Sequence, residues 1–311
     1  MLLRQLPTGF IRPSARLLIP AGALVDLEVL KYELETFKID PKRVGVDRNA
    51  MIIEESDKER ERSLHLRERL SSTLCGVGSA VARRVLRADS VRTAELAGRQ
   101  VPWLSPLITN VSEEANVALD SGKNVLVEGT QGYGLSLYHT DSYPKATSRD
   151  TTAAGFLSEV GLSPLIVKEI VLVFRTFPIR VAGEQAGPLQ DEIDWGILQQ
   201  ESGYPFAIEE MTTVTKKVRR VARFDWHLAA DAIQVNRPSR IAINGLDYLG
   251  YANRGVRDES LLTRGATSFL DRLSALHGRT VWAWGTAPDT LRATISVLRS
   301  HRASQIQEMC V

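Results

Sequence analysis

The chain has 311 residues, with 39 lysines and arginines against 37 aspartates and glutamates, and 43% of it is hydrophobic. That composition excludes a disordered tail, which lacks the apolar material for a core, and a protein that coats nucleic acid through bulk charge. No run of about 18 uncharged apolar residues occurs, so no membrane span is expected.

In chain order, Leu2, Leu3 and Leu6 followed by Pro7-Thr8-Gly9 read as the end of a strand entering a turn. Short apolar runs ending in turn residues follow at 16–22, 124–129, 169–175, 240–247 and 279–285. Continuous apolar runs suit strands buried on both faces, as in a parallel sheet. Helical periodicity fills the gaps at 25–37, 57–70, 220–235 and 268–277. Alternating strands and helices give an α/β class, and no linker or repeat divides the chain, so one large domain over 1–311 is expected. Cys75 and Cys310 are too far apart in sequence for a disulfide framework, and the five histidines make no HExxH or HxH pair. No metal site is expected from these residues. The N-terminus lacks an export signal, which with reduced thiols points to the cytoplasm.

In open α/β sheets ligands sit beyond the carboxyl ends of strands, so the segments after each strand carry the functional reading. Glu128-Gly-Thr-Gln-Gly-Tyr-Gly134 has three glycines in six residues around Gln131. Such a loop brings backbone N–H groups close to an anion, or is a plain turn. The stretch 143–155 holds the hydroxyls of Thr147, Ser148, Thr151 and Thr152 with Lys145, Arg149 and Asp150; hydroxyls and a guanidinium together suit a phosphate, and a helix is expected to start near Thr151. A capped helix start is its bland reading. Thr73 lies beside a Gly76/Gly78 turn that opens a basic helix carrying Arg83, Arg84 and Arg87. No Gly-Lys-Ser/Thr follows it, so it is no Walker motif.

Five cations fall between 216 and 223, after Thr213 and Thr215. They fit a loop around a carboxylate ligand or a solvated charge run. A nucleic-acid patch lacks the aromatics to support it. Asn244-Gly-Leu-Asp247 closes a strand, and an Asp there can accept from guanine N1–H and its amino group. Gly285-Thr-Ala-Pro-Asp289, with Gly285 and Pro288, closes the last strand and could wall the same base. His139 is more often structural than catalytic in such a setting. Trp282 and Trp284 read as core.

Taken in order, these segments resemble the adenylosuccinate synthetase family over nearly the whole chain. The strongest stretch is Val125-Leu-Val-Glu-Gly-Thr-Gln-Gly132 with Tyr143-Pro144 and Thr147-Ser-Arg-Asp-Thr-Thr-Ala153. The next is Thr213-Val-Thr-Lys-Lys-Val-Arg-Arg220 followed by Phe224-Asp225. The wording is nearest the short archaeal and phage members. The resemblance implies a P-loop-NTPase-like synthetase fold with a central, mostly parallel sheet flanked by helices. It implies a cytoplasmic ligase that joins L-aspartate to the 6-position of IMP with GTP hydrolysis, or of dGMP in the phage form.

Gln131 then corresponds to the catalytic amide at the purine 6-oxygen. Thr73, Arg87 and Thr147 correspond to the groups on the nucleotide 5′-phosphate, Arg87 reaching across a homodimer. Thr213, Thr215, Lys217 and Arg219 correspond to the aspartate loop, where Lys216-Lys-Val-Arg stands for the usual Gly-Arg-x-Arg. Asn244, Asp247, Gly285 and Pro288 correspond to the site for the triphosphate base, GTP or ATP, with Gly245 where the family has Lys.

The family's Gly-Asp-Glu-Gly-Lys-Gly-Lys loop, with its magnesium-binding Asp, and its Asn-Ala-Gly-His occur nowhere in the chain. The resemblance places both, with the first strand, ahead of Met1. The expectation is therefore an N-terminally incomplete domain whose Mg2+ ligands are not among its residues. A nucleotide-binding paralogue without activity is the rival class.

Overall fold

Asp26, Asn110, Thr152, Asp194, Asp225 and Thr263 each stand just ahead of an apolar periodic run, and each caps a helix in the computed structural model of the chain. Their side chains accept from the second or third backbone N–H of the helix, groups that have no partner within it. Residues 3–212, 215–293 and 308–310 are described. Their contacts divide into two compact units, Met1–Val167 with Ala303–Val311, and Lys168–Arg302.

In the first unit the strands are β1 (Arg16–Ile19), β2 (Leu24–Val25), β3 (Val44–Asp47), β4 (Met51–Ile52), β5 (Ile108–Thr109) and β6 (Asn124–Leu126). The helices are α1 (Leu27–Thr36), α2 (Glu55–Ser63), α3 (Leu66–Leu70), α4 (Val77–Val85), α5 (Ala94–Gly98), α6 (Val111–Asp120) and α7 (Ala153–Val160). A wholly parallel sheet runs β5-β3-β1, then the strand Glu308–Cys310, then β6. Its buried side chains, Leu17, Ile19, Val44 and Val46, pack with Leu30, Leu104 and Leu107 in one core, while Leu18 faces a second core with Val111 and Ala115. Burial of this kind is the dominant favourable term in folding.

The second unit has β7 (Val171–Arg175), β8 (Ile179–Arg180), β9 (Glu192–Ile193), β10 (Arg220–Ala222), β11 (Arg240–Asn244), β12 (Ala283–Ala287) and β13 (Thr290–Ala293), with α8 (Trp195–Ser202), α9 (Trp226–Asn236) and α10 (Arg264–His277). Its larger sheet runs β13-β12-β11-β7, parallel except for the β12–β13 hairpin, and β8-β10-β9 form a small antiparallel sheet. Among the described residues no helix is long and apolar enough to cross a membrane.

The α/β class holds, and four local readings change. No strand is found at Leu3–Pro7. The N–H groups of Arg4, Gln5 and Leu6 all turn onto the buried Glu33 carboxylate, and a 3-10 turn follows at Thr8–Ile11. The helix expected over 57–70 breaks at Leu64–His65, where His65 takes φ 51°. Leu64 is 45% exposed there, so no apolar stripe carries the helix through. The helix expected from 220 begins at Trp226, because Val221 and Ala222 are buried in β10. Finally, β6 and β7 are edge strands of their sheets, and their apolar runs leave Leu126 and Val173 more than half exposed.

Candidate active site

In the first unit three loops carrying sequence candidates are tied to one another. The Thr151 hydroxyl donates to the Gly132 carbonyl at 3.1 Å, next to Gln131. Thr147 N–H donates to the Leu135 carbonyl at 2.8 Å. A Cβ on Gly78, in the first turn of α4, would lie 2.8 Å from the Ser148 Oγ, so the Thr147–Ser148 loop rests directly on the turn that follows Thr73. Gln131 is exposed and holds φ 71°, a left-handed conformation uncommon for a residue with a Cβ. Gly129 fits because the Phe156 ring of α7 fills the space where a Cβ would stand.

Asp150 organises this region. Its carboxylate accepts from the Ser136 hydroxyl at 2.9 Å, from the Thr152 hydroxyl, and from Thr152 N–H at 3.2 Å. Burial opposes its charge, but these bonds outweigh it and hold the carboxyl below its ordinary range. His139 stacks on Tyr133 with ring centroids 5.9 Å apart, and its Nε2 lies 4.0 Å from Asp150.

Several expected anion ligands are already engaged within the chain. The amides of Gly76 and Gly78 both donate to the Glu61 carboxylate at 2.9 Å, with Ser79 N–H at 3.4 Å, so this turn is not an open phosphate cradle. Arg149, expected to fork a phosphate, pairs with Glu159, and Lys145 donates to the Arg69 carbonyl at 2.8 Å. Arg83 forks Asp57 at 3.0 and 2.6 Å, and Arg84 donates to the Ala21 carbonyl at 3.0 Å. Arg87 is exposed, and among the described residues its guanidinium has no partner. The half-buried hydroxyls of Thr73 and Thr147 are likewise unengaged among those residues.

In the second unit the cationic run of 216–223 divides the same way. Arg220 forks Glu192 on β9, and Arg223 pairs with Asp191 and Glu201, so neither bends round a ligand. Lys216, Lys217 and Arg219 stay on a loop closed by Thr212, whose Oγ1 accepts from Lys217 N–H at 2.9 Å and lies 2.6 Å from the Thr215 Oγ1. The Trp195 indole donates to the Arg219 carbonyl at 2.7 Å and pins the loop's outgoing end. Thr213 lies outside the described residues.

Asn244 ends β11 beside Gly285 of β12. A Cβ on Gly285 would meet the Asn244 Oδ1 at 2.6 Å, so only glycine allows this approach. Gly245 takes φ 89° against the Thr176 hydroxyl, a backbone state costly for the lysine usual there. The strand expected to close at Gly285 runs on to Ala287, and the exposed Pro288–Asp289 turn leads into β13. Asp247 is buried, accepts from the Tyr204 hydroxyl, and has Arg254 at 3.6 Å. Burial raises its pKa against the pull of those partners.

The family model described as Adenylosuccinate synthetase matches residues 100–254. The adenylosuccinate synthetase of Thermococcus onnurineus is 40% identical over 289 residues, covering 92% of this chain and 81% of that protein. That of Methanocaldococcus jannaschii is also 40% identical, over 92% and 80%. The chain belongs to the adenylosuccinate synthetase family.

Solved structures agree with this family fold. The succinoaminodeoxyadenylate synthetase of cyanophage S-2L, bound to dGMP and dATP as an energy donor, aligns with TM-score 0.75 and 27% identity over 95% of this chain and 82% of that one. The adenylosuccinate synthetase of Plasmodium falciparum aligns with TM-score 0.78 at 16% identity, over 93% and 87%, a likeness of fold.

Magnesium accompanies the family's chemistry. Among the described residues no group of three His, Cys, Asp or Glu side chains could hold a metal ion. Sequence reasoning missed Glu61, Tyr204 and Arg254. Each acts through a partner 15 to 50 residues away, and no local motif signals it.

Proposed function

We propose that this adenylosuccinate synthetase family member serves purine nucleotide biosynthesis as a C–N ligase, joining L-aspartate to the 6-position of IMP with GTP hydrolysis. Phosphate passes from the triphosphate to the purine 6-oxygen. The aspartate amine then attacks C6, the C6–N bond forms, the C6–O bond breaks, and the phosphorylated oxygen leaves as inorganic phosphate. The amine gives up a proton in the exchange. An oxide would leave far more slowly, which is why the triphosphate is needed.

The observation that carries this reading is the convergence of the Gln131, Thr147 and Thr73 loops in the first unit, with the Arg87 guanidinium unengaged among the described residues. In it, the Gln131 amide positions the 6-oxygen, donating or accepting as the oxygen requires. Thr73 and Thr147 bind the 5′-phosphate, and Arg87 reaches that phosphate in a homodimer partner. Thr215, Lys217 and Arg219 hold the aspartate carboxylates, Lys217 as a single point charge where an arginine would fork. Asn244, Asp247, Gly285 and Pro288 border the seat of the triphosphate base. Magnesium acts in the family as a counter-ion to the transferring phosphate.

The likeness to the cyanophage enzyme favours one alternative, dGMP as the acceptor. Incubating the purified chain with aspartate, magnesium and GTP or ATP, and with IMP or dGMP, tests both. Succinylated product from IMP supports the main reading, and product from dGMP alone replaces it with the second. Calorimetric binding without phosphate release assigns the chain to the non-catalytic class. Absence of binding and of turnover refutes the function.

A further inference from the structure

Thr8 and Glu128 lie 120 residues apart in sequence and meet at the root of the Gln131 loop. Thr8 N–H donates to one Glu128 carboxylate oxygen at 2.8 Å, and the Thr8 hydroxyl donates to the other. Two donors from one residue on both oxygens fix the plane of the carboxylate as well as its position. Thr8 is itself anchored. The N–H groups of Arg4, Gln5 and Leu6 are held by the buried Glu33 carboxylate, and Pro7 leads straight into the 3-10 turn Thr8–Ile11. Among the described residues Glu128 pairs with no cation, so its charge answers to Thr8 alone.

Gln131 sits between two anchors. On one side is Glu128, held by Thr8. On the other, the Gly132 carbonyl accepts from the Thr151 hydroxyl at 3.1 Å. Of the two residues between Glu128 and Gln131, Gly129 already lies against the Phe156 ring. Gln131 holds φ 71°, and among the described residues its side-chain amide makes no hydrogen bond that would explain this left-handed state. The strain is therefore imposed by the ends of the loop, and it persists only while they are held.

We propose that Thr8 is a positioning residue for purine recognition: through Glu128 it keeps the loop in the strained form that presents the Gln131 amide to the purine 6-oxygen. The proposal rests on the functional reading of Gln131. Without the Thr8 hydroxyl, Glu128 keeps a single bond and can turn about it, Gln131 relaxes to an ordinary backbone state, and its amide leaves the oxygen. Thr73 and Thr147 lie on other segments, so the hold on the 5′-phosphate stays.

Calorimetry with IMP and with purine riboside 5′-monophosphate, which is IMP without its 6-oxygen, tests this on the wild-type chain, T8V, T8S, E128A, the T8V/E128A double variant and Q131A. The preference for IMP should fall about fivefold in T8V and in E128A, the size of one lost hydrogen bond, and no further in the double variant. T8S, which keeps the hydroxyl, should restore it to within about twofold, and affinity for the nucleotide without the oxygen should stay within about twofold throughout. A preference that survives T8V overturns the proposal. So does equal weakening of both ligands, which marks a residue that only supports the fold. A double variant worse than E128A also overturns it, because Thr8 would then act by another route. If Q131A keeps the preference, the reading of Gln131 is wrong and the proposal falls with it; if Q131A loses the preference and T8V does not, the proposal alone falls.

Discussion

Replacing Glu61 by alanine should destabilise the first unit by about 2–5 kcal/mol. The carboxylate is 3% exposed and accepts from Gly76 and Gly78 at 2.9 Å and from Ser79 at 3.4 Å, three N–H groups at the start of α4. Those donors have no partner inside the helix, and Gly76 holds φ 81°, so the turn depends on an outside acceptor. Two well-formed bonds lost at about 1–2 kcal/mol each, plus up to about 1 kcal/mol for the charge at the helix N-terminus, give the total. Glu61→Gln keeps one acceptor oxygen and should cost about 1–2 kcal/mol. Urea titration gives the stability change. Hydrogen exchange at the Gly76, Gly78 and Ser79 amides locates it, which matters because two units need not unfold together. An alanine variant within about 0.5 kcal/mol of wild type, with those amides still protected, would show that water replaces the carboxylate and would refute the reasoning.

The Arg83–Asp57 fork is nearly buried, with side chains 12% and 3% exposed, so Arg83→Met should cost about 3–5 kcal/mol by stranding Asp57. Arg62→Met, which breaks a pair with Glu55 that is 48% and 61% exposed, should cost under about 1 kcal/mol in the same titration. Burial opposes the charge on Asp26, but Lys58 at 2.9 Å and two helix N–H groups hold its pKa below the ordinary 3.8. Its contribution is therefore complete above pH 3.8 and lost as pH falls through the folded value. Asp26→Asn, which keeps the helix cap, should be less stable than wild type at pH 6 and equal to it in strong acid. Arg87→Ala should leave stability within about 0.5 kcal/mol, since the side chain is exposed and unpartnered among the described residues, and should weaken purine monophosphate binding about tenfold by calorimetry.

The sequence carried the sheets because period and run length are local properties. Leu17, Leu18 and Ile19 are buried in β1 as their unbroken run implies, and Ile241 to Ile243 in β11 likewise. The same reasoning overshot at Leu126 and Val173. An apolar run records that a strand forms, whereas burial on both faces depends on neighbours supplied from elsewhere in the chain. Helix starts were legible where a capping side chain precedes the run, as at Asp225, and the break at His65 was not, since no glycine or proline marks it.

Charged and polar candidates followed a different rule. A motif counts donors but does not show which of them the protein's own acceptors take. Glu61, Glu159, Glu192 and Glu201 each remove a donor that looked ready for a ligand, and each lies 10 or more residues from it in sequence. A near-neutral chain has enough carboxylates to do this almost everywhere, so a cation left without one is informative. Of the three arginines on α4 and its end, Arg83 and Arg84 are satisfied internally, which singles out Arg87 as the phosphate candidate that sequence alone left ambiguous. By the same subtraction the 216–223 run reduces to Lys216 and Lys217, since Arg219 already gives its Nε–H to the Met211 carbonyl at 3.3 Å.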